Sequence, residues 1–210
     1  MSNYVISISR EFGSGGRELG KRLADLLGWD YYDKQIISSI ASNRGMDEHY
    51  VETALENHVW RSIPLSFRST ITGAATGSMW SPQTELWLEQ KRVIEAIAES
   101  GKDCVIIGRN ADVLLRAYRP LSLFVCAGTD AKVNRCMERA EPGEKISRRE
   151  LERKIRDIDK GRAQLREIIG GSHWGEPSAY HLTVNTTDWN IKDLAEAVAK
   201  FTQAWFETRG

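Results

Sequence analysis

Tyr4-Val5-Ile6-Ser7-Ile8-Ser9-Arg10-Glu11-Phe12-Gly13-Ser14-Gly15-Gly16-Arg17-Glu18-Leu19-Gly20 is the stretch that decides the reading of this chain. It runs from a short apolar strand through a glycine-rich loop into an amphipathic helix. That order makes a phosphate cradle. Glycines let successive backbone N–H groups turn toward one anion, and the helix start adds its own unpaired N–H groups and positive dipole end. A positive side chain is disfavoured at a helix N-terminus, yet Arg17 stands there. A bound polyanion removes that conflict.

Outward from this loop, strand and helix signals alternate. Val5 to Ser9 reads as the first strand. Arg17 to Leu27 reads as a helix with Leu19, Leu23, Leu26 and Leu27 on one face, closed by Gly28. Trp29 to Tyr32 is a short second strand, and Lys34 to Asn43 a helix with Ile36, Ile37 and Ile40 inward. Asp47 suits the N-cap of a helix running toward Trp60. Residues 61–81 show no period and read as a mobile loop or insertion. Pro82 opens a helix to Ser100 with Leu86, Val93, Ile94 and Ile97 inward. Cys104 to Ile107 is apolar throughout and Leu121 to Cys126 is apolar but for Ser122, as strands of a parallel sheet covered on both faces are. Thr129 caps a helix to about Arg139, and Glu141-Pro142-Gly143-Glu144-Lys145 breaks it. A highly charged helix spans Ser147 to about Ile169, ended by Gly170-Gly171. His181 to Asn185 is the last strand, and a final helix carries Ile191, Leu194, Val198, Phe201 and Trp205 on one stripe. Five strands alternating with helices give a three-layer α/β domain with a parallel sheet.

Composition narrows the function. The 210 residues suit one domain with room for a real core. Lysine plus arginine equals aspartate plus glutamate at 29 each, which argues against a dedicated nucleic-acid binder. Cys104, Cys126 and Cys136 form no CxxC pair, so they read as three reduced structural thiols rather than a zinc site or disulfide framework. No signal-peptide pattern and no long apolar run is present, so the expectation is a cytoplasmic protein without a membrane partner.

The order of motifs resembles the cytidylate-kinase-like branch of the P-loop nucleoside monophosphate kinases. It is carried by the strand, glycine loop and helix at the N-terminus and by an apolar strand ending in Gly108-Arg109. Another apolar strand, a helix with Arg135 and Arg139, and then Asp159-Lys160-Gly161-Arg162 complete it. The resemblance implies a P-loop NTPase fold: a five-stranded parallel sheet in one domain over 1–210. It also implies an acceptor-binding insertion at about 45–81 and a lid at about 140–177. It implies ATP and magnesium as cofactors, with Arg10, Phe12, Gly13, Ser14, Gly15, Gly16, Arg17 and Glu18 around the donor. Asp33, Arg109, Asn110, Arg156, Asp159 and Arg162 would serve the acceptor or the moving phosphoryl group.

The loop departs from the standard pattern G-x-x-x-x-G-K-[ST]. With Gly15 as the second glycine, Arg10 stands at the first glycine position and Gly16 at the lysine position, and the hydroxyl position falls on Arg17 or Glu18. Ile107 and Asn110 replace the acidic residues that flank Gly-Arg in the family. Losing one transition-state donor without replacement costs on the order of 3 kcal/mol. Arg17 is the natural substitute for the lysine, since a guanidinium spans two phosphate oxygens; Arg10 is a second clamp at the opposite rim. Arg17, Arg109 and Arg162 are the expected catalytic residues.

Several residues carry two readings. Glu11, Glu18 and Asp33 are candidate magnesium ligands, but Glu18 also suits a helix N-terminal carboxylate and Asp33 a helix N-cap. Arg109 faces the crevice beyond the strand ends or forms a structural ion pair. The charges between Arg148 and Arg166 are mostly a solvated helix face, from which the family pattern lifts Arg156, Asp159 and Arg162. His173-Trp174 stacks on a base or packs locally. Trp60, Trp80 and Trp87 build a small core or line an acceptor pocket. The leading expectation is phosphoryl transfer from ATP to a nucleoside monophosphate such as CMP. A nucleotide sensor with little turnover and a kinase of a non-nucleotide metabolite are the alternatives.

Overall fold

A computed structural model of the chain describes residues 3–56, 82–140, 146–169 and 172–208. Five strands form one sheet in the order β2-β3-β1-β4-β5, every neighbouring pair parallel. They are β1 (Val5–Arg10), β2 (Asp30–Tyr32), β3 (Cys104–Ile107), β4 (Leu121–Cys126) and β5 (Leu182–Asn185). The helices are α1 (Gly16–Leu27), α2 (Lys34–Arg44), α3 (Glu48–Glu56), α4 (Pro82–Glu99), α5 (Ala111–Leu114), α6 (Thr129–Glu138), α7 (Arg148–Ile168) and α8 (Ile191–Glu207).

Continuous apolar strands dictate two covered faces. Ile6, Ile8, Val105, Ile107, Leu121 and Leu123 pack with Leu19 and Leu23 of α1 and with Leu194 and Val198 of α8. Val5, Cys104 and Ile106 point the other way, into Ile36, Ile40, Val51, Leu86 and Ile94 of α2 to α4. The alternation of side chains along each strand sends neighbours to opposite layers. A third, smaller cluster joins α6 and α7 through Val133, Leu151 and Ile155, with Phe12 of the glycine loop packed against it. β1 lies between β3 and β4, so its carboxyl end opens on the crevice where the strand order reverses.

The expected elements are present, with local corrections. Leu26 is 52% exposed, and Ala24 takes the inward place beside Leu23. Gly128 rather than Thr129 holds the N-cap of α6, and its N–H donates to Thr187 Oγ1 at 2.9 Å. Asp47 does cap α3, accepting from the Tyr50 N–H at 3.0 Å. Ser147 caps α7 in a reciprocal box with Glu150. α5 carries too few residues to show a period. Residues 57–81 of the expected insertion, with Trp60 and Trp80, lie outside the described residues, as do the break at 141–145 and Gly170-Gly171. No helix among the described residues is long and apolar enough to cross a membrane.

Candidate functional site

The loop after β1 turns on two glycines in the left-handed region, Gly13 at φ +76° and Gly15 at φ +82°. Its carbonyls face the protein. The Ser14 carbonyl accepts from Thr186 Oγ1 at 2.6 Å and from an Arg135 Nη at 3.3 Å, and Ser14 Oγ donates to the Glu11 carbonyl at 2.9 Å. Among the described residues, the N–H groups of Gly13 and Gly15 enter none of the loop's hydrogen bonds. The Phe12 N–H donates to Asp159 Oδ1 at 2.7 Å. Carbonyls bound to the protein and amides left over are the arrangement of an anion nest at the start of α1.

Arg10 ends β1 and is 9% exposed. A Cβ on Gly16 would lie 2.7 Å from Arg10 Cβ, and one on Gly108 only 1.6 Å from an Arg10 Nη. The side chain therefore runs from the first residue of α1 to the turn after β3. Burial, then Arg162, Arg109 and Arg17, lower the Arg10 pKa to about 9, with Asp33 the opposing charge. Arg162 reaches over from α7 to donate to the Arg10 carbonyl at 3.1 Å, and it pairs with Asp159 at 3.4 Å. Arg109 and Asn110 follow Gly108 with φ of +58° and +51°, so three successive residues are left-handed. Two non-glycine residues held there store strain of the kind that collects at functional sites. The fold thus gathers four predicted residues, Arg10, Arg17, Arg109 and Arg162, about one place at the carboxyl end of the sheet.

A sequence model of the cytidylate kinase-like family matches residues 5–188. The chain belongs to the cytidylate kinase-like family. No curated protein matches it in sequence. Among solved structures, an uncharacterized protein from Eubacterium ventriosum is 21% identical with a TM-score of 0.68, covering 95% of this chain and 98% of its own. Shikimate kinase from Bacteroides thetaiotaomicron is 14% identical with a TM-score of 0.57, covering 95% of this chain and 98% of its own. Shikimate kinase from Acinetobacter baumannii, in complex with shikimate, is 16% identical with a TM-score of 0.52, covering 97% and 94%. These likenesses establish the fold, a parallel sheet of P-loop kinase type.

In this cytidylate kinase-like chain the remaining predicted residues divide. Arg17 Nε sits 2.5 Å from Asp33 Oδ2. The pair borders an open cleft of about 600 Å³ lined by Lys21, Tyr31, Lys34 and Arg139 among others. Burial, and after it Asp33, push the Tyr31 hydroxyl up to about 12. Asp33 does occupy the N-cap position of α2, but its side chain does not cap. Asn110 is buried beside Arg109. Arg156 is exposed on α7 and enters none of the loop's contacts. Trp174 packs edge-on against Phe124 with ring centroids 5.1 Å apart, the local packing alternative.

The three candidate magnesium ligands are each engaged elsewhere. Glu11 accepts from the Ala127 N–H at 3.0 Å and pairs with Lys132 at 3.1 Å. Glu18 pairs with Arg22 at 2.9 Å and with Arg139. Asp33 holds Arg17. Among the described residues no three acidic, histidine or cysteine side chains group as a metal site. The donors on the loop fit a chain of phosphates. The acids do not form a cage for magnesium, an ion that commonly arrives with its phosphates and needs one or two protein carboxylates.

Lys132 has no place in the sequence reading of the site, and Arg135 enters it only through the family pattern. Lys132 is buried and bridges Glu11 to Asp159, at 3.1 and 3.6 Å. Arg135 clamps the loop through Ser14 and Thr186. A signal existed: Lys132, Arg135, Cys136 and Arg139 recur at i, i+3, i+4 and i+7, one face of α6, and that face covers the loop. The surface reading of α7 also fails for Arg166, which is 2% exposed and pairs with Asp112 at 2.7 Å.

Proposed function

We propose that this chain transfers the terminal phosphoryl group of ATP to a small acceptor that carries a phosphate of its own, a nucleoside monophosphate of the CMP kind. One observation carries the reading: a buried arginine, Arg10, held among Arg17, Arg109 and Arg162 at the carboxyl end of the sheet, beside a glycine loop with amides to spare. Phosphoryl transfer is mostly positioning and neutralisation of spread negative charge. Guanidiniums gathered at the carboxyl end of the sheet suit a second phosphate beside the moving group, which favours a phosphorylated acceptor over a neutral polyol.

In this reading ATP, with magnesium, supplies the phosphoryl group. The N–H groups of Gly13, Gly15 and the first turn of α1 bind the donor phosphates. Arg109 and Asn110 orient the acceptor phosphate. Arg162, carried by α7, brings charge from a lid at about 140–177 and helps exclude water when that lid closes. Residues about 45–81 serve as the acceptor insertion.

The test is an ADP-release assay with ATP, magnesium and a panel of nucleoside monophosphates, with shikimate as a non-nucleotide comparator. ADP that appears with CMP and not without an acceptor supports the reading. ATP binding with no ADP under any acceptor replaces it with a nucleotide sensor. ADP formed with shikimate alone moves the acceptor to a non-nucleotide.

A further inference from the structure

We propose that Arg10 takes over the donor-phosphate contact that a standard phosphate loop assigns to its lysine, and that Gly16 and Gly108 are glycines because its side chain fills their space. The inference rests on the phosphate-binding reading above and deepens it.

Register links positions 10 and 16. In the pattern G-x-x-x-x-G-K-[ST], this chain has arginine where the first glycine belongs and glycine where the lysine belongs. In sequence these are two separate losses. In space they are one exchange. A Cβ on Gly16 would stand 2.7 Å from Arg10 Cβ and 3.2 Å from its Cγ, so a lysine at 16 and an arginine at 10 exclude each other.

The direction of the Arg10 side chain agrees. From the end of β1 the guanidinium reaches the turn that follows β3, where a Cβ on Gly108 would meet its Nη1 at 1.6 Å and its Cζ at 2.7 Å. The Gly108 N–H donates to the Ile8 carbonyl at 2.8 Å, which fixes that turn against β1. The charge therefore lies in the crevice beyond the strand ends, between the glycine loop and Arg109, where ligands bind in such sheets.

The charge around Arg10 points the same way. Arg10 is nine-tenths buried, and among the described residues no carboxylate lies within ion-pairing distance of it and no acceptor takes a hydrogen bond from its side chain. Its charged neighbours are chiefly arginines. A buried cation without a counter-ion is costly, and its pKa, lowered to about 9, records that cost. The other basic residues at the loop are already committed. Arg17 holds Asp33, Lys132 bridges Glu11 and Asp159, and Arg135 binds Ser14 and Thr186. Arg10 is the cation whose partner a ligand would be.

The test is calorimetric titration and thermal melting with inorganic tripolyphosphate and with ATP, on the wild-type chain, Arg10→Met, Arg10→Lys and the double variant Arg10→Gly/Gly16→Lys. The wild type should bind both probes and melt higher with them. Arg10→Met keeps the bulk and removes the charge. It should be at least as stable as the wild type without ligand, yet bind about 10- to 100-fold more weakly, the loss expected for a hydrogen bond to a charged group. Arg10→Lys should recover part of the affinity. The double variant should bind better than Arg10→Gly or Gly16→Lys alone, since it restores the standard loop. Affinity of Arg10→Met within about threefold of a wild type that does bind overturns this inference and leaves the phosphate reading standing. Loss of stability in Arg10→Met, with no recovery of affinity in Arg10→Lys, makes Arg10 a spacer and also overturns it. A wild type that binds neither probe overturns both.

Discussion

Arg17 Nε lies 2.5 Å from Oδ2 of Asp33, joining the first turn of α1 to the first residue before α2. The arginine side chain is 55% exposed and the carboxylate only 6%. The carboxylate is thus the dependent partner, held in the crevice by a cation that solvent reaches. Arg17→Ala leaves the buried Asp33 with the Tyr31 hydroxyl and the more distant Arg10 to answer it. The expected loss of stability is about 1–2 kcal/mol, between the values for exposed and buried pairs. Urea unfolding of the variant measures it. Because Arg17 is already paired, its loss should weaken tripolyphosphate binding less than Arg10→Met does; an equal or greater loss would return the donor contact to Arg17.

Asp112 and Arg166 are the more deeply buried pair. Nη2 and Oδ2 lie 2.7 Å apart, Arg166 also donates to the Ser172 carbonyl at 3.2 Å, and its guanidinium sits 4.8 Å from the Tyr180 ring centre. Removing one partner strands the other, which costs about 3–5 kcal/mol. Asp112→Ala should lower the urea midpoint accordingly, and a change below about 1 kcal/mol would mean that water reaches the arginine once the acid is gone.

The helix that carries Arg166 shows what the sequence could and could not disclose. Leu151 and Ile155 mark the inward face of α7, and Asp159, Arg162 and Arg166 continue it at spacings of 4, 3 and 4. The stripe was legible, but its polar half looks like any solvated helix, because sequence periodicity registers apolar residues and not buried charge. Strands and helices were read closely since glycine stops, caps and apolar runs are local signals. Leu26 failed because a leucine beside the apolar face is counted with it by type. The site is the reverse case. Gly13, Gly15 and Arg109 announce themselves by motif, whereas the meeting of Arg10 with Gly108 joins residues 98 positions apart and has no local signature.

Asp159 gives a pH prediction. Burial raises its pKa above the ordinary aspartate value, outweighing the hydrogen bond from the Phe12 N–H and the charges of Arg162 and Lys132. For an acid with a raised folded pKa, the folded state binds the proton more tightly than the unfolded chain. Its ionisation therefore lowers stability as pH rises from the unfolded value through the folded one. Asp159→Asn lacks that term. The stability of the variant relative to the wild type should rise across the same window, in a denaturation series from below the ordinary aspartate pKa to neutrality. A difference that falls with pH would show that the three favourable partners outweigh burial.

Gly108→Ala links strain to ligand binding. The residue has φ +68°, where an added Cβ costs roughly 1–2 kcal/mol. The atom it meets first is the end of the Arg10 side chain, which can swing aside, so the fold should survive with about that loss. The displaced guanidinium leaves the crevice, and tripolyphosphate affinity should fall with it. The cycle between Gly108→Ala and Arg10→Met then separates this from a general disturbance of the turn. If Gly108 acts through Arg10, the double variant binds no more weakly than Arg10→Met alone, a strongly non-additive result. If the two losses add, the alanine damages Arg109 and Asn110 instead, and Gly108 serves the strained turn rather than the arginine beneath it.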